Sequence, residues 1–417
     1  MQIKKLTAEE FKKFANQYND YSIYQTVEYG MVMSNQKFEI LYVGLIDENN
    51  NILAASLILV EKTFAFKYAY APRGFLIDYN NYTLLKTFTH EIKKFLGRLD
   101  ITGIKICPPI IRNVYNFNYK MNENNYYYDS IYDNLKDCGY YHLGYNNYFE
   151  SLKPRFEAII DINIPYYLLF KNIDKSYRTK IRNAERNGIK IYKGNEENLE
   201  YLYLQTKKKY PRDLKYFKDC YTFFSERKMI DFYYAKLDTA QFLKATQEEY
   251  EKQEEDSAII NKQILTNSNK NNKLINKKIQ ADLKLEQCKK NLVLATNLLR
   301  DYPDGIVMAS ILVIKYRDTI HVLMDGYDPQ YKNFNAKHLL IWKLMEKYSK
   351  LGYKKFNLGG ITNFNIENNK YQGLNQFKLN FGAKAYEYIG DLELITNNTL
   401  YFMYRNSAPI RNILKKY

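Results

Sequence analysis

Between Gln241 and Tyr302 the chain runs without a glycine or a proline. So long a stretch with nothing to break it reads as helix, and it is too long to be one ordinary globular helix. Its second arm places Leu274, Lys278, Ala281, Leu285, Cys288, Leu292, Ala295 and Leu299 at alternating steps of four and three. That spacing keeps one stripe of side chains against a partner helix, with a single charged interruption at Lys278. The polar run TNSNKNNK at 266–273 is the natural reversal point. We therefore expect an antiparallel coiled-coil hairpin over 241–302. Its charges are those of a solvated face, and its interspersed lysines are also compatible with a surface for RNA.

On either side of this insertion the signals alternate between strand and helix. FEILYVGLID and NILAASLILVEK flank the turn ENNN and predict an antiparallel hairpin. An amphipathic stretch at 82–98 follows, then the short apolar run GIKIC before two prolines, and a helical stretch at 129–138 that Gly139 ends. A similar order recurs later. GIVMASILVIKY and TIHVLMDGY turn around Arg317 and Asp318, a helix covers about 335–350, and KKFNL runs into Gly359 and Gly360. The helix NQFKLNFGA and the strand YEYIGDLELI complete it. Two hairpin–helix–strand–helix halves predict a mixed α/β protein built from a duplicated unit.

At 417 residues the chain exceeds one ordinary core. We expect one unit over 1–152, a second split over 153–240 and 303–395, the insertion at 241–302, and a C-terminal helix and basic tail (396–417) packing back on the first. A formal charge of +16 favours a polyanionic partner, either nucleic acid or an anionic membrane face. The four cysteines show no CxxC pair and the four histidines lie far apart, which argues against a disulfide framework and a metal site. The start MQIKKLTAEEF reaches acidic residues before any apolar core, and ILAASLILV is far shorter than a bilayer span. The expectation is a cytoplasmic chain that meets a membrane only at its surface.

Three stretches have the residue types for chemistry. In YQGLNQFKLNFGAKAYEYIG, Leu374, Phe377 and Phe381 form an apolar stripe and Lys378 sits beside it. The plain reading is a boundary lysine whose stem covers the core while its ammonium reaches water. KNIDKSYRTKIRNAERNGIKI gathers Lys175, Arg178, Arg182 and Arg186 into a helical ridge that suits phosphate groups, or equally a solvated face. YPRDLKYF sets Arg212 and Tyr216 one helical turn apart, a pair able to grip a phosphate or sugar and also common at core edges. No P-loop, no GxGxxG after a strand and no GxSxG elbow is present. The coenzyme A loop [QR]xxGx[GA] of GNAT acetyltransferases is missing too.

Taken in order, YQTVEYG (24–30), YVGLIDENNNILAA (42–55), YAYAPRGFLID (68–78), RTKIRNAERNGIKI, the helical insertion, LGYKKFNLGGI and QFKLNFGAKAYEYIGDLELI resemble the Fem family of aminoacyl-tRNA-dependent peptidyltransferases. The resemblance spans nearly the whole chain. It implies two GNAT-like domains, with the insertion of the branch that acts on a lipid-linked precursor. It also implies a reaction: an amino acid passes from tRNA to an amine of the peptidoglycan stem peptide, building the interpeptide bridge. Aminoacyl-tRNA would be a co-substrate, with no cofactor and no metal. Lys378, with Phe377 beside it, would stabilise the transition state. Arg212 and Tyr216 would hold the sugar-phosphate end of the precursor, with Arg73 and Phe334 as further substrate-binding residues. Two positions depart from the soluble-substrate branch: Met31 stands where a phosphate-binding lysine would be, and Cys107 where an aspartate would be.

An aminoacyl ester is already activated, so such an enzyme needs no ATP and no protein nucleophile. What it needs is a fixed cation where the ester oxygen turns anionic. The implied location is the inner face of the plasma membrane of a Gram-positive bacterium. The implied partners are the charged tRNA, the lipid II-type precursor, an anionic leaflet, and homo- or hetero-oligomers with related chains. Two other readings fit the residues: a GNAT-fold acyltransferase with another acceptor, dependent on coenzyme A or tRNA, and a non-catalytic RNA-binding protein.

Overall fold

The computed structural model describes residues 1–19, 21–62, 66–116, 121–151, 153–210, 212–266 and 272–406. The first strands are β1 (Gln2–Lys5), β2 (Glu39–Ile46), β3 (Ile52–Lys62), β4 (Lys67–Ala71), β5 (Ile101–Ile106), β6 (Ile111–Tyr115), β7 (Met121–Asn124) and β8 (Tyr141–His142). They continue as β9 (Phe156–Asp161), β10 (Ile189–Gly194), β11 (Ile230–Leu237), β12 (Ile306–Tyr316), β13 (Thr319–Tyr327), β14 (Lys355–Ile361), β15 (Lys384–Tyr388) and β16 (Leu392–Ile395). The helices are α1 (Ala8–Gln17), α2 (Val27–Asn35), α3 (Tyr82–Gly97), α4 (Tyr128–Asp137), α5 (Tyr166–Asn172), α6 (Lys175–Arg186) and α7 (Leu199–Thr206). After them come α8 (Leu214–Ser225), α9 (Thr239–Thr266), α10 (Asn272–Asp301), α11 (Ala336–Lys350), α12 (Gln372–Leu379) and α13 (Asn398–Asn406).

The chain is mixed α/β, with two sheets. One has the order β1-β2-β3-β4-β5-β16-β8, the other β10-β11-β12-β13-β14-β9-β15-β6-β7. Both expected hairpins form, β2 with β3 and β12 with β13. The repeat is offset by one strand from its sequence reading, because each half opens with a three-stranded meander. β2-β3-β4 leads through α3 to β5, which pairs in parallel with β4; β11-β12-β13 leads through α11 to β14, which pairs in parallel with β13.

The expected single strand YEYIGDLELI is two strands in two sheets. β15 stays in the nine-stranded sheet, and after Gly390, at a φ of +96° that suits glycine, β16 enters the seven-stranded one. β9 does the reverse: it follows β8 in the chain but lies between β14 and β15. β6 and β7 also join the nine-stranded sheet, so sheet membership crosses the expected boundary at 152/153.

Strand alternation sends side chains to separate cores. On β3, Ile58 and Val60 join α3 and α4, whereas Leu57 and Leu59 face a core between the two sheets filled by α1, α2, α7 and α8. That is why ILAASLILV is apolar throughout: both faces of β3 are covered. Each such Leu or Ile contributes about 1.5–3 kcal/mol of burial.

Helices α9 and α10 lie antiparallel, since Lys278 on α10 reaches Ser257 while Lys284 reaches Glu249, one further back on α9. Their junction at 267–271 lies outside the described residues. Along α10, Cys288 and Ala295 are buried, and Leu274, Lys278, Ala281, Leu285, Leu292 and Leu299 are half-buried. At the C-terminus Tyr404 on α13 stacks on Tyr68 of β4, with ring centroids 4.7 Å apart; the basic tail at 407–417 lies outside the described residues.

Candidate active site

β13 and β14 pair in parallel only from Thr319 to His321 and from Lys355 to Asn357. Both strands then continue, to Tyr327 and Ile361, paired with β12 and β9 respectively and no longer with each other. A bulge bends β13 at this point, because Met324 faces Leu312 while Val322 faces Val313, leaving Leu323 unopposed. The resulting V is a cleft of about 670 Å³. Its walls are the diverging ends of β13 and β14, the end of α7, the first turn of α11, and Phe377 and Lys378 of α12.

The expected stripe divides: Leu374 and Phe377 are half-buried and line the cleft, Phe381 is fully buried just beyond α12, and the face that α12 buries carries Asn375, Lys378 and Leu379. Lys378 is 8% exposed, and its ammonium donates to the Gly360 carbonyl at 2.8 Å. The boundary-lysine reading, with an ammonium in open solvent, does not describe this geometry. Gly360 O is available because β14 has left β13. Next to it Gly359 adopts a φ of +79°, and a Cβ there would lie 3.6 Å from the Lys378 ammonium. Burial pushes the Lys378 amine down to about 8; Asp325 opposes the shift and Lys337 adds to it.

Three further groups at this point had no sequence signal of their own. Asp325, at the end of β13, pairs with Lys337 in the first turn of α11. Burial pushes its carboxyl up, but Lys337 and Lys378 outweigh that and hold it below the usual carboxylate range. His338 stands between Tyr177 and Phe377, at 4.6 and 5.2 Å between centroids, and neither ring nitrogen has a partner among the described residues. Burial and the nearby Lys180 and Lys337 hold its imidazole neutral, down at about 3. Phe377 carries the Lys337 ammonium 4.4 Å above its ring.

Arg212 also lines the cleft, and although it lies just before the N-cap of α8 rather than on the helix, its guanidinium stands 4.1 Å over the ring of Tyr216, so the expected pair does meet. The cleft thus holds Lys209, Arg212, Lys332, Lys337 and Lys378 against one carboxylate, Asp325. The other candidates lie elsewhere. Arg73 is buried and bonded to Glu157 at 2.6 Å and to the Pro154 carbonyl at 2.7 Å, a structural ion pair behind the cleft. Phe334 packs behind the cleft wall against Phe242 and Tyr331. Lys175, Arg182 and Arg186 are exposed on α6 and Arg178 is half-buried; none lines the cleft. Met31 is 42% exposed on α2. Cys107 is buried against the Tyr70 hydroxyl at 2.9 Å, and burial pushes its thiol up, so it is no base.

Among the described residues no three His, Cys, Asp or Glu side chains gather as a metal site, and no helix is long and apolar enough to cross a membrane. The crystal structure of FemX matches this fold with a TM-score of 0.73 at 20% identity, covering 97% of this chain and 99% of that one. Aminoacyltransferase FemA of Staphylococcus epidermidis is 24% identical over 429 residues, covering 99% of this chain and 100% of the relative. FemA of Staphylococcus aureus is 23% identical over 426 residues, covering 99% of each. The family model described as the FemAB family matches residues 6–407. With that match running almost from end to end, the chain belongs to the FemAB family.

Proposed function

We propose that the V between β13 and β14 is the transfer site of an aminoacyltransferase that moves an amino acid from aminoacyl-tRNA to a stem-peptide amine of a lipid-linked peptidoglycan precursor. Family membership and relatives named aminoacyltransferase make the chain an acyltransferase. The single observation that supports the site is the Lys378 ammonium, buried, fixed on Gly360 O and facing a cleft with five cations and one carboxylate.

The acceptor amine attacks the ester carbonyl carbon and negative charge builds on the carbonyl oxygen. Lys378, already fixed, stabilises that charge without reorganising, and low local polarity strengthens its field. The tetrahedral intermediate then collapses, the tRNA ribose oxygen leaves, and it departs with the proton shed by the amine. The Gly360 carbonyl positions the cation, Asp325 favours its charged form, and Phe377 and His338 wall the site off from water. The basic cleft suits a phosphate-bearing RNA end, and the chain's surplus charge suits an anionic leaflet.

The test is to incubate the protein with charged tRNA and lipid-linked precursor and to weigh the product. A precursor heavier by one aminoacyl residue, lost after ribonuclease treatment, is the expected result. Acetyl-CoA turnover without RNA, or no transfer to any precursor, overturns the proposal.

A further inference from the structure

Among the described residues Asp325 is the one carboxylate that lines the cleft, against five cations. A bulge puts it there. Ile320 and Val322 of β13 face the core that holds α11, and regular alternation would keep the even positions on that side. Leu323 is the extra residue, so Met324 turns toward the core between the sheets and Asp325 faces α11. There Lys337 bonds Oδ1. Oδ2 takes no hydrogen bond from the described residues, and the side chain is 16% exposed. Lys378 acts on the same carboxylate electrostatically.

An anionic ligand gains nothing from a carboxylate in such a cleft. A ligand bearing an ammonium gains a charge-assisted hydrogen bond, which offsets the repulsion of the surrounding cations. Every aminoacyl ester carries such a group on the carbon next to its carbonyl. A site that fixes the carbonyl oxygen at Lys378 therefore also fixes where that ammonium falls, and Asp325 is the carboxylate that acts most strongly on Lys378. The acceptor brings the other amine of the reaction, but that amine must shed its proton to attack. Lys337 and Lys378 hold the Asp325 carboxyl below the usual carboxylate range, so it takes protons poorly. It leaves a partner ammonium charged, which suits the amine that does not react.

We propose that Asp325 receives the α-ammonium of the donor amino acid at Oδ2, and so selects an aminoacyl end over a hydroxyacyl one. The inference deepens the transferase reading and rests on it for the identity of the donor. Asp325 is here a binding residue that sets donor specificity, in addition to favouring the charged form of Lys378.

The probes are two acceptor-stem RNA helices ending in 3′-amino-3′-deoxyadenosine, acylated through that amine so that transfer is blocked. One carries glycyl, the smallest donor; the other carries glycolyl, with a hydroxyl in place of the ammonium. Binding is followed by fluorescence anisotropy at about pH 6.5, where an α-amine is charged. Wild-type protein is expected to bind the glycyl RNA roughly 10- to 100-fold more tightly than the glycolyl RNA. Asp325→Asn should bind the two alike, and Lys337→Met, which keeps the carboxylate, should retain the preference. Because each variant is read as a ratio between two RNAs, a changed charge on Lys378 cancels. Equal binding by wild type, a preference that survives in folded Asp325→Asn, or its loss in folded Lys337→Met overturns the proposal. So does an Asp325→Asn defect confined to the stem peptide with a free acceptor amine and absent with that amine acetylated, since the carboxylate then serves the acceptor. Should the preference depend on Asp325 while no transfer to lipid-linked precursor occurs, the donor site stands and the transferase reading falls.

Discussion

Lys378 on α12 and Gly360 on β14 are joined by a 2.8 Å hydrogen bond across the open end of the V. The carbonyl holds the ammonium without neutralising it, so the positive charge stays available to a second, more negative oxygen. Lys378→Met is therefore expected to lower kcat by about 10²–10³-fold, with KM for the precursor little changed. Label transfer from charged tRNA under single-turnover conditions checks this. The same substitution removes a buried charge, so the thermal midpoint should not fall; a large drop would mean that the lost activity reflects unfolding.

Asp325 favours the charged form of Lys378, which otherwise suffers from burial and from Lys337. The proposed mechanism needs the ammonium, so on that mechanism activity should decline as pH rises through about 8. In Asp325→Asn the supporting charge is gone, the amine gives up its proton at lower pH, and the alkaline limb should move to lower pH. A pH–rate profile of both proteins decides it; an unmoved limb refutes the coupling.

Glu157 is held below the usual carboxylate range: burial pushes it up, and Arg73 and Asn357 more than offset that. Its stabilising contribution is present above about pH 4.3 and is lost as pH falls through the lower folded value. Glu157→Gln leaves the Arg73 guanidinium buried and unmatched, at a cost of about 3–5 kcal/mol. Replacing both by Met should cost much less. Denaturant melts of the single and double variants measure the difference.

Arg182 and Arg186 are exposed on α6, Arg182 lying 5.2 Å over the Phe170 ring and Arg186 within 3.9 Å of Glu249. If RNA phosphates lie along that helix, Arg182→Ala and Arg186→Ala should each flatten the salt dependence of tRNA binding, by about 0.7–0.9 in slope. Stability should stay within about 0.5 kcal/mol. Unchanged slopes would leave α6 as a solvated face.

The parts of this molecule legible in sequence are those governed by local period. Helical spacing showed where α12 lies, but the face it buries carries Asn375, Lys378 and Leu379, so the burial of Lys378 was not legible from the Leu374, Phe377 and Phe381 stripe. The long run of helix formers gave α9 and α10, and double-sided burial made β3 readable. The rest depends on chain segments meeting from afar. Asp325 ends a strand and Lys337 begins a helix, and neither position hints that they pair. Arg73 follows a proline and looks like a turn residue, because its partner Glu157 is an inward position on a strand of the other sheet. The division of YEYIGDLELI had one signal, Gly390, and a glycine alone does not say which sheet comes next.

The traded positions of β9 and β16 have a consequence for how such a chain can be cut. Each half leaves a slot one strand wide in its own sheet and carries, at its end, a spare strand of the right polarity for such a slot. A fragment holding only one half is left with an open seam and a dangling ribbon, and a second copy of the same fragment can satisfy both. Two tandem copies on one polypeptide have the architecture of a mutually clasped pair whose members became covalently tied.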